Sequence, residues 1–189
     1  MTRPPRQLLE WQPPRAGRPR RRSSSLLAGV VGLVLLGASV ALDFAVNPAP
    51  RLVWNASASA PTGFWRIDPG ARIDRGDMVL VRTPDSVRQL AARRHYLPAN
   101  VPLLKRVVAR DGSKVCALGS AIFIDGRLSA TRKEVDRQGR PLPWWHGCER
   151  LREGQLFLLM DHRDSFDGRY FGPVDETSVI GKATPLWLR

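Results

Sequence analysis

Histidine, cysteine and lysine are all scarce in this chain of 189 residues. None of the three histidines, His95, His146 and His162, lies in a motif that would support a Ser/His/Asp triad. His146 and Cys148 lie close together in the sequence, but no second pair at zinc-ligand spacing accompanies them. We therefore predict that the protein uses no metal and no cofactor, and that any catalysis depends on other residue types.

Acidic residues are also few, since 17 aspartates and glutamates oppose 30 lysines and arginines and give a formal net charge of +13. Such an excess suggests nucleic-acid binding, but that hypothesis depends on where the charges lie. Much of the excess precedes an apolar run, in arginines opposed only by Glu10: Arg3, Arg6, Arg15, Arg18, Arg20, Arg21 and Arg22. The rest is scattered, with short clusters at "ARRHY" and "TRKEVDRQGR" that we interpret as solvated faces. We therefore predict no nucleic-acid partner.

The longest apolar run is "SLLAGVVGLVLLGASVAL", residues 25 to 42, which carries no charge. At about 1.5 Å per residue it nearly spans a bilayer core of ~30 Å, and extension to residue 46 makes it long enough. We predict a disordered basic cytoplasmic tail over residues 1–24, a transmembrane anchor over residues 25–46 and an exported domain over residues 47–189. A cleavable signal peptide is the alternative, which the length of the run disfavours.

The only two cysteines, Cys116 and Cys148, both lie on the exported side of this segment. An oxidising compartment makes a disulfide between them the expected state. On the chain-entropy model, closing a loop of this length stabilises the fold by roughly 3 to 4 kcal/mol. The predicted role is therefore structural.

Glycine and proline occur 16 times each, which favours turns and short strands over long helices. Strand-like segments are "DMVLVR", "LLKRVVAR", "QLFLLM" and "SVIGKATPLWL". Asp111-Gly112 and Asp125-Gly126 each lie between apolar runs, which is the pattern of two-residue hairpin turns. One helix is predicted within residues 84–97. The sequence thus predicts a mainly β exported domain behind a single N-terminal transmembrane helix.

The first candidate for chemistry is a lysine. Arginine supplies nearly every positive charge, and the only lysines are Lys105, Lys114, Lys133 and Lys182. Lys105 differs from the others because it lies within an apolar strand pattern, "VPLLKRVVA". Lysine, unlike arginine, loses its proton when burial lowers its pKa by about 3 units, a difference of roughly 4 to 5 kcal/mol. A neutral amine beside a serine hydroxyl can act as a general base, whereas a lysine snorkelling from a strand edge is the alternative.

Serine hydroxyls come from the stretch "WNASASAPTGFW", residues 54 to 65. Asn55, Ser57 and Ser59 alternate, so in an extended conformation their side chains share a face. Pro61 and Gly63 predict that the strand is broken just after Ser59, where a substrate carbonyl can approach.

Three segments of the sequence carry a resemblance to a known family. "NASASAPTGFW" resembles the serine box of the conjugative-transfer peptidase (TraF) group within the signal peptidase I (S26) serine protease family. "PLLKRVVA" resembles the lysine box of that family, and "DHRDSFDGRYFGP", residues 161 to 173, resembles its third box. The boxes occur in the expected order, and the resemblance covers most of residues 50–185. It implies a signal peptidase I-like β domain and a serine endopeptidase with a Ser/Lys dyad.

Individual roles follow from the resemblance, residue by residue. It makes Ser59 the nucleophile and Lys105 the general base. Ser57 falls at the position of an oxyanion-hole hydroxyl, which would work with the backbone N–H of Ser59. Ser165 matches the serine that orients the lysine.

Other positions of the third box match structural positions or depart from the family pattern. Asp167 and Arg169 match charged residues whose implied role is a salt bridge that holds this box against the site. Gly168 replaces the serine between them, Ala60 stands where ordinary signal peptidases carry methionine, and the box is one residue shorter before Ser165. These departures favour the TraF type, and they leave open whether Ser165 still reaches Lys105.

For the TraF group, the implied partner is the precursor polypeptide of a conjugative pilin, with small residues before the cleavage site and, in some members, head-to-tail cyclisation. The implied location is the bacterial inner membrane, with a cytoplasmic N-terminus, a periplasmic catalytic domain, and contact with membrane lipid and a conjugation or type IV secretion apparatus. Trp54, Phe64 and Trp65 flank the serines and either dip into the outer leaflet or pack in the core. Two alternatives remain: a general signal peptidase I that removes secretory signal peptides, and a non-enzymatic anchored component of a conjugation or secretion channel.

Overall fold

The computed structural model describes residues 22–45 and 50–189. The chain divides into an N-terminal unit, residues 1–48, and a larger unit, residues 49–189. Residues 1–21 of the predicted cytoplasmic tail lie outside the described residues, as do residue 46 at the end of the predicted anchor and residues 47–49 at the start of the predicted exported domain.

The described part of the N-terminal unit is one helix, α1, which spans Arg22–Ala45 and includes the whole uncharged apolar run, residues 25–42. Its described side chains, residues 27–39, are exposed. Among the residues that the structure describes, no helix is both long enough and apolar enough to cross a membrane. The anchor over residues 25–46 stays a prediction.

The larger unit is mainly β, as predicted. Its strands are β1 (Leu52–Asn55), β2 (Gly63–Asp68), β3 (Met78–Val81), β4 (Leu103–Ala109), β5 (Lys114–Leu118), β6 (Ala121–Ile124), β7 (Arg127–Thr131), β8 (Gly147–Arg150), β9 (Gln155–Leu159), β10 (Val174–Asp175) and β11 (Val179–Leu188). Its helices are α2 (Asp85–Arg93) and α3 (Gly168–Phe171), and a 3-10 turn follows at Glu176–Ser178.

The strands form two antiparallel sheets. The larger has seven strands in the order β1-β2-β11-β3-β4-β9-β10, and the smaller has four in the order β7-β6-β5-β8. Asp125-Gly126 forms the predicted two-residue hairpin, since Ile124 pairs with Arg127 across it. Asp111-Gly112 does not form the other predicted hairpin, because β4 and β5, which it connects, belong to different sheets.

Strand β4 runs through the interior of the larger sheet and has apolar side chains on both faces. Leu103 and Val107 belong to one core cluster, with Leu158 of β9. Leu104 points to the other face and belongs to a second cluster, with Trp65 of β2. Lys105, which lies between Leu103 and Val107 on the first of these faces, is therefore removed from water, which is the condition that lowers the pKa of an amine.

The predicted disulfide is present. Cys116 of β5 and Cys148 of β8 are directly opposite one another in the smaller sheet and are bonded through their sulfurs. The bond connects two strands that are 32 residues apart in the chain. It stabilises the smaller sheet and contributes nothing to the chemistry described below.

Candidate active site

The serine box lies in a turn and not in a strand. Strand β1 ends at Asn55, and the chain turns over residues 56–60 before β2 begins. The Asn55 side chain stabilises this turn: its Oδ1 accepts from the Ser57 N–H at 3.1 Å, and its Nδ2 lies 3.0 Å from each of the carbonyl oxygens of Ser57, Ala60 and Pro61. The expectation that the alternating side chains share a strand face is therefore wrong, because an asparagine that bonds to the following backbone favours a turn.

The turn nevertheless brings the two serines together. Ser57 Oγ and Ser59 Oγ are 2.9 Å apart, and the Ser59 N–H donates to Ser57 Oγ at 3.3 Å. Ser57 is exposed and Ser59 is half-buried. The hydroxyl and the N–H that the sequence assigns to the oxyanion hole thus interact with one another in the free protein, at a position open to solvent.

Lys105 connects this turn to the third box. Its Nζ lies 3.2 Å from Ser59 Oγ and 2.8 Å from Ser165 Oγ. The Lys105 side chain is 2% exposed and Ser165 is fully buried. The contact that the shortened third box left open is therefore made, and Lys105 lies between two hydroxyls.

The environment of Lys105 favours its neutral form. Burial, opposed by the Asp167 carboxylate and reinforced by the Arg169 guanidinium, lowers the pKa of Lys105 from 10.5 to about 8. Roughly a tenth of these amines are then neutral at pH 7. The arrangement can therefore supply a base near neutral pH, which an exposed lysine does only rarely.

Asp167 and Arg169 form a buried ion pair at the start of α3. Arg169 Nε lies 2.8 Å from Asp167 Oδ1, and neither side chain is more than 4% exposed. Asp167 Oδ2 accepts from the Met160 N–H at 3.0 Å, and Arg169 Nη2 donates to the Met160 carbonyl at 2.6 Å. The pair thus fixes α3 to the end of β9, and each charge is satisfied by hydrogen bonds, as burial of an ion pair demands.

Two residues next to these groups were given no functional role from the sequence. Asn55 stabilises the turn that carries the serines, and its signal is its place as the first residue of the serine box. Arg132 is buried and donates to the carbonyl oxygens of Gly119 and Trp145 at 2.8 Å, and to that of Arg169 at 3.4 Å. Nothing in the local sequence distinguishes Arg132 from the other arginines.

Ser57, Ser59 and Lys105 line a cleft of about 410 Å³. Two segments outside the boxes complete the lining, residues 94–97 after α2 and residues 133–142 between β7 and β8. These segments contain much of "ARRHY" and "TRKEVDRQGR", whose charges the sequence suggested were only solvated faces. Most of these charged side chains are at least partly exposed to solvent, as predicted, and the structure adds that both clusters contribute to the cleft that contains the serines.

An antiparallel β scaffold that holds a serine hydroxyl against a buried lysine amine has the parts of a Ser/Lys hydrolase. The family model described as "Signal peptidase, peptidase S26" matches residues 24–188. This protein belongs to that family.

Several conjugal and plasmid transfer proteins are similar to this protein over nearly its whole length. The "Conjugal transfer protein TraF" of Agrobacterium fabrum is 32% identical over 177 residues, which cover 88% of this chain and 97% of that protein. The "Plasmid transfer protein TraF" of Escherichia coli is 30% identical over 173 residues, which cover 85% of this chain and 92% of that protein. The "Signal peptidase I" of Haemophilus influenzae is 51% identical, but over 37 residues that cover 19% of this chain and 11% of that protein.

Proposed function

We propose that this protein is a serine endopeptidase in which Ser59 is the nucleophile and Lys105 is the general base. One observation supports this proposal most directly, the buried Lys105 amine that lies 3.2 Å from Ser59 Oγ and 2.8 Å from Ser165 Oγ. Membership of the peptidase S26 family supports the same class of reaction.

The proposed reaction begins when the neutral Lys105 amine accepts the proton of Ser59 as Oγ attacks the scissile carbonyl carbon. The oxyanion that forms accepts hydrogen bonds from the Ser59 N–H and the Ser57 hydroxyl. These two bonds replace the hydrogen bond from the Ser59 N–H to Ser57 Oγ that is present in the free protein. The Lys105 ammonium then donates its proton to the leaving amine, and an acyl-enzyme remains. Ser165 accepts a hydrogen bond from the Lys105 amine and so directs the nitrogen lone pair towards Ser59.

The proposed substrate is an exported precursor, specifically a conjugative pilin with small residues before the cleavage site. The relatives that match nearly the whole chain are conjugal and plasmid transfer proteins, whereas the signal peptidase I match covers 11% of that protein. Water resolves the acyl-enzyme in hydrolysis, and the amino terminus of the same pilin resolves it in cyclisation. A conjugation apparatus is the corresponding partner complex.

We propose further that residues 25–46 anchor the protein in the bacterial inner membrane, with the catalytic domain in the periplasm. The arginine-rich flank of an uncharged run supports this orientation, and the Cys116–Cys148 disulfide is consistent with an oxidising compartment. Trp54 of the edge strand β1 and Phe64 of the adjacent strand β2 are 43% and 41% exposed and contact one another, so they are suited to contact lipid. Trp65 packs in the core instead.

The experiment is to incubate the detergent-solubilised full chain with a pilin precursor and to follow the mass of the product. We expect Ser59→Ala and Lys105→Met to abolish processing, and Ser57→Ala to reduce its rate by about 10² to 10³. Ser129→Ala and Lys114→Met remove a hydroxyl and an amine outside the cleft, so they serve as matched controls that retain processing.

The outcome separates this proposal from its two alternatives. Processing that persists in Ser59→Ala or Lys105→Met contradicts the dyad. A secretory precursor that is cleaved as fast as the pilin precursor identifies a general signal peptidase. A wild-type protein that cleaves neither precursor supports an anchored, non-enzymatic channel component.

A further inference from the structure

Four cationic side chains line the same cleft as Ser59 and Lys105. Arg94 follows α2, while Lys133, Arg137 and Arg140 lie between β7 and β8. We refer to these four residues as the basic rim. Arg94 precedes the other three by about 40 residues, and the four come from the two charge clusters "ARRHY" and "TRKEVDRQGR".

The basic rim has more positive charge than its carboxylate partners balance. Asp164 alone faces two cations, with Lys133 Nζ at 2.5 Å and Arg137 Nη2 at 2.6 Å. Lys133 and Arg137 lower the pKa of Asp164 to about 2, so its carboxylate is ionised at neutral pH. One positive charge therefore remains at this end of the basic rim.

The other end of the basic rim also has a surplus. Arg140 forms an ion pair with Asp136 at 2.6 Å. Arg94 Nη1 donates to the Pro141 carbonyl at 2.6 Å and makes no ion pair within residues 50–189. The four cations of the basic rim thus face two carboxylates of the cleft lining, Asp136 and Asp164.

Hydrogen bonds fix the position of the basic rim. The Tyr96 hydroxyl donates to Asp136 Oδ2 at 2.5 Å, and the backbone N–H groups of Gln138 and Arg140 donate to Asp136 Oδ1 at 2.8 and 2.9 Å. Arg140 Nη2 also donates to the Arg94 carbonyl at 3.3 Å. The two segments are thus joined to one another, so Arg94 and Arg140 need little reorganisation to meet a ligand.

The surplus is local and does not simply reflect the basic composition of the chain. A second, smaller depression borders Ser59 and is lined by Pro61, Thr62 and Arg106, among others. Its lining contains one arginine and one aspartate, Arg106 and Asp161, which form an ion pair at 3.2 Å. Unbalanced positive charge is therefore found in one of the two depressions that border the proposed nucleophile.

We propose that the basic rim binds a carboxylate of the substrate peptide and so selects precursors with an acidic group near the cleavage site. The carboxylate is either an Asp or Glu side chain or the free carboxyl terminus of a short tail, since both present the same two oxygens to a guanidinium. This inference rests on the proposed peptidase function and adds a substrate class to it.

The experiment uses synthetic peptides that share an Ala-Ala cleavage site and differ by Glu or Gln at a single position, scanned on both sides of that site. Each peptide is made with a carboxylate and with a carboxamide at its C-terminus, which separates the two sources of negative charge. Cleavage by the full chain is measured as kcat/KM. Binding of the same peptides to the uncleaving Ser59→Ala variant is measured in parallel by fluorescence anisotropy.

We expect the carboxylate form to be preferred by about tenfold at one position or at the C-terminus, mostly through KM, and the preference to shrink as salt is added. Arg137→Gln and the double variant Lys133→Gln/Arg137→Gln should remove most of this preference, measured within each variant as the ratio of kcat/KM for the carboxylate peptide to that for the neutral peptide. The Arg137 side chain is 80% exposed, so its replacement should not disturb folding. Arg127→Gln removes an exposed arginine outside the cleft and should keep the preference.

The two proposals fail in different ways. Equal kcat/KM and equal binding for the acidic and neutral peptides would overturn the role of the basic rim and leave the peptidase function intact. Selective binding to Ser59→Ala, together with no cleavage of any peptide by the wild type, would support the basic rim and contradict the peptidase function. A preference that survives the double variant would also overturn the proposal.

Discussion

At the scale of single residues, Lys105 shows how a strand position changes the chemistry of a side chain. Burial has the largest influence on the pKa of Lys105. Asp167 raises that pKa and Arg169 lowers it, so the two charges of the ion pair act on the amine in opposite directions. Lys133 and Lys182 are more exposed and form ion pairs with aspartates. An arginine at position 105 would remain charged at every physiological pH, which would exclude a role as base.

The lowered pKa of Lys105 predicts the pH dependence of cleavage. The base must be neutral, so kcat/KM should rise about tenfold per pH unit below pH ~8 and reach a plateau above it. The measurement is kcat/KM for a neutral peptide between about pH 5.5 and pH 9.5, at constant ionic strength. A profile with its midpoint near pH ~6.5, as an unperturbed histidine gives, would argue against Lys105 as the base.

At the scale of elements, the site depends on the close approach of α3 to β9. A Cβ on Gly168 would lie 2.7 Å from the Leu158 carbonyl oxygen and 3.1 Å from the Phe157 ring. No side chain fits there without movement, which gives a physical reason for glycine at this position. The same approach allows Asp167 and Arg169 to reach the backbone of Met160.

Replacing Gly168 with the serine that the family carries at this position should therefore lower both stability and activity. We expect Gly168→Ser to lower the free energy of unfolding by about 1 to 3 kcal/mol, because α3 must move away from β9. Cleavage should fall at least about tenfold, since that shift also displaces Ser165 from Lys105. Denaturant unfolding and kcat/KM provide the two measurements.

The control for this substitution is Gly70→Ser. A Cβ on Gly70 would lie 3.9 Å from Asp68 Oδ1, an ordinary van der Waals contact, so the added side chain meets no obstacle. This variant should retain the stability and activity of the wild type. Wild-type values for Gly168→Ser itself would mean that α3 tolerates displacement and that its approach to β9 does not position Ser165.

At the scale of the whole molecule, the sequence predicted the parts of the site better than their arrangement. The strand that carries Lys105 follows from its apolar composition, and the pairing across Asp125-Gly126 follows from turn chemistry. The turn after Asn55 was missed because a local side-chain contact outweighs alternation. The basic rim was missed because nothing local in its two clusters indicates that the fold brings them to one cleft.

Burial of Lys105 has a cost in stability, and this cost predicts how stability depends on pH. The pKa of Lys105 is about 8 in the folded protein and ~10.4 in the unfolded chain. Between these values the unfolded chain binds the additional proton, so the free energy of unfolding rises with pH. Below pH ~8 both states are protonated, and the destabilisation is fully present.

Comparison of the wild type with Lys105→Met isolates this effect, because the other titrating groups contribute nearly equally to both proteins. The Ser165 hydroxyl loses its partner in the variant, but it does not titrate, so it changes the difference by an amount that is the same at each pH. We expect the wild type to gain about 2 to 3 kcal/mol relative to Lys105→Met between about pH 7 and pH 10. Chemical denaturation of both detergent-solubilised proteins, with the disulfide intact, measures this difference. A difference that stays constant with pH would show that the amine is as well solvated in the folded protein as in the unfolded chain, and a solvated amine could not serve Ser59 as a base near neutral pH.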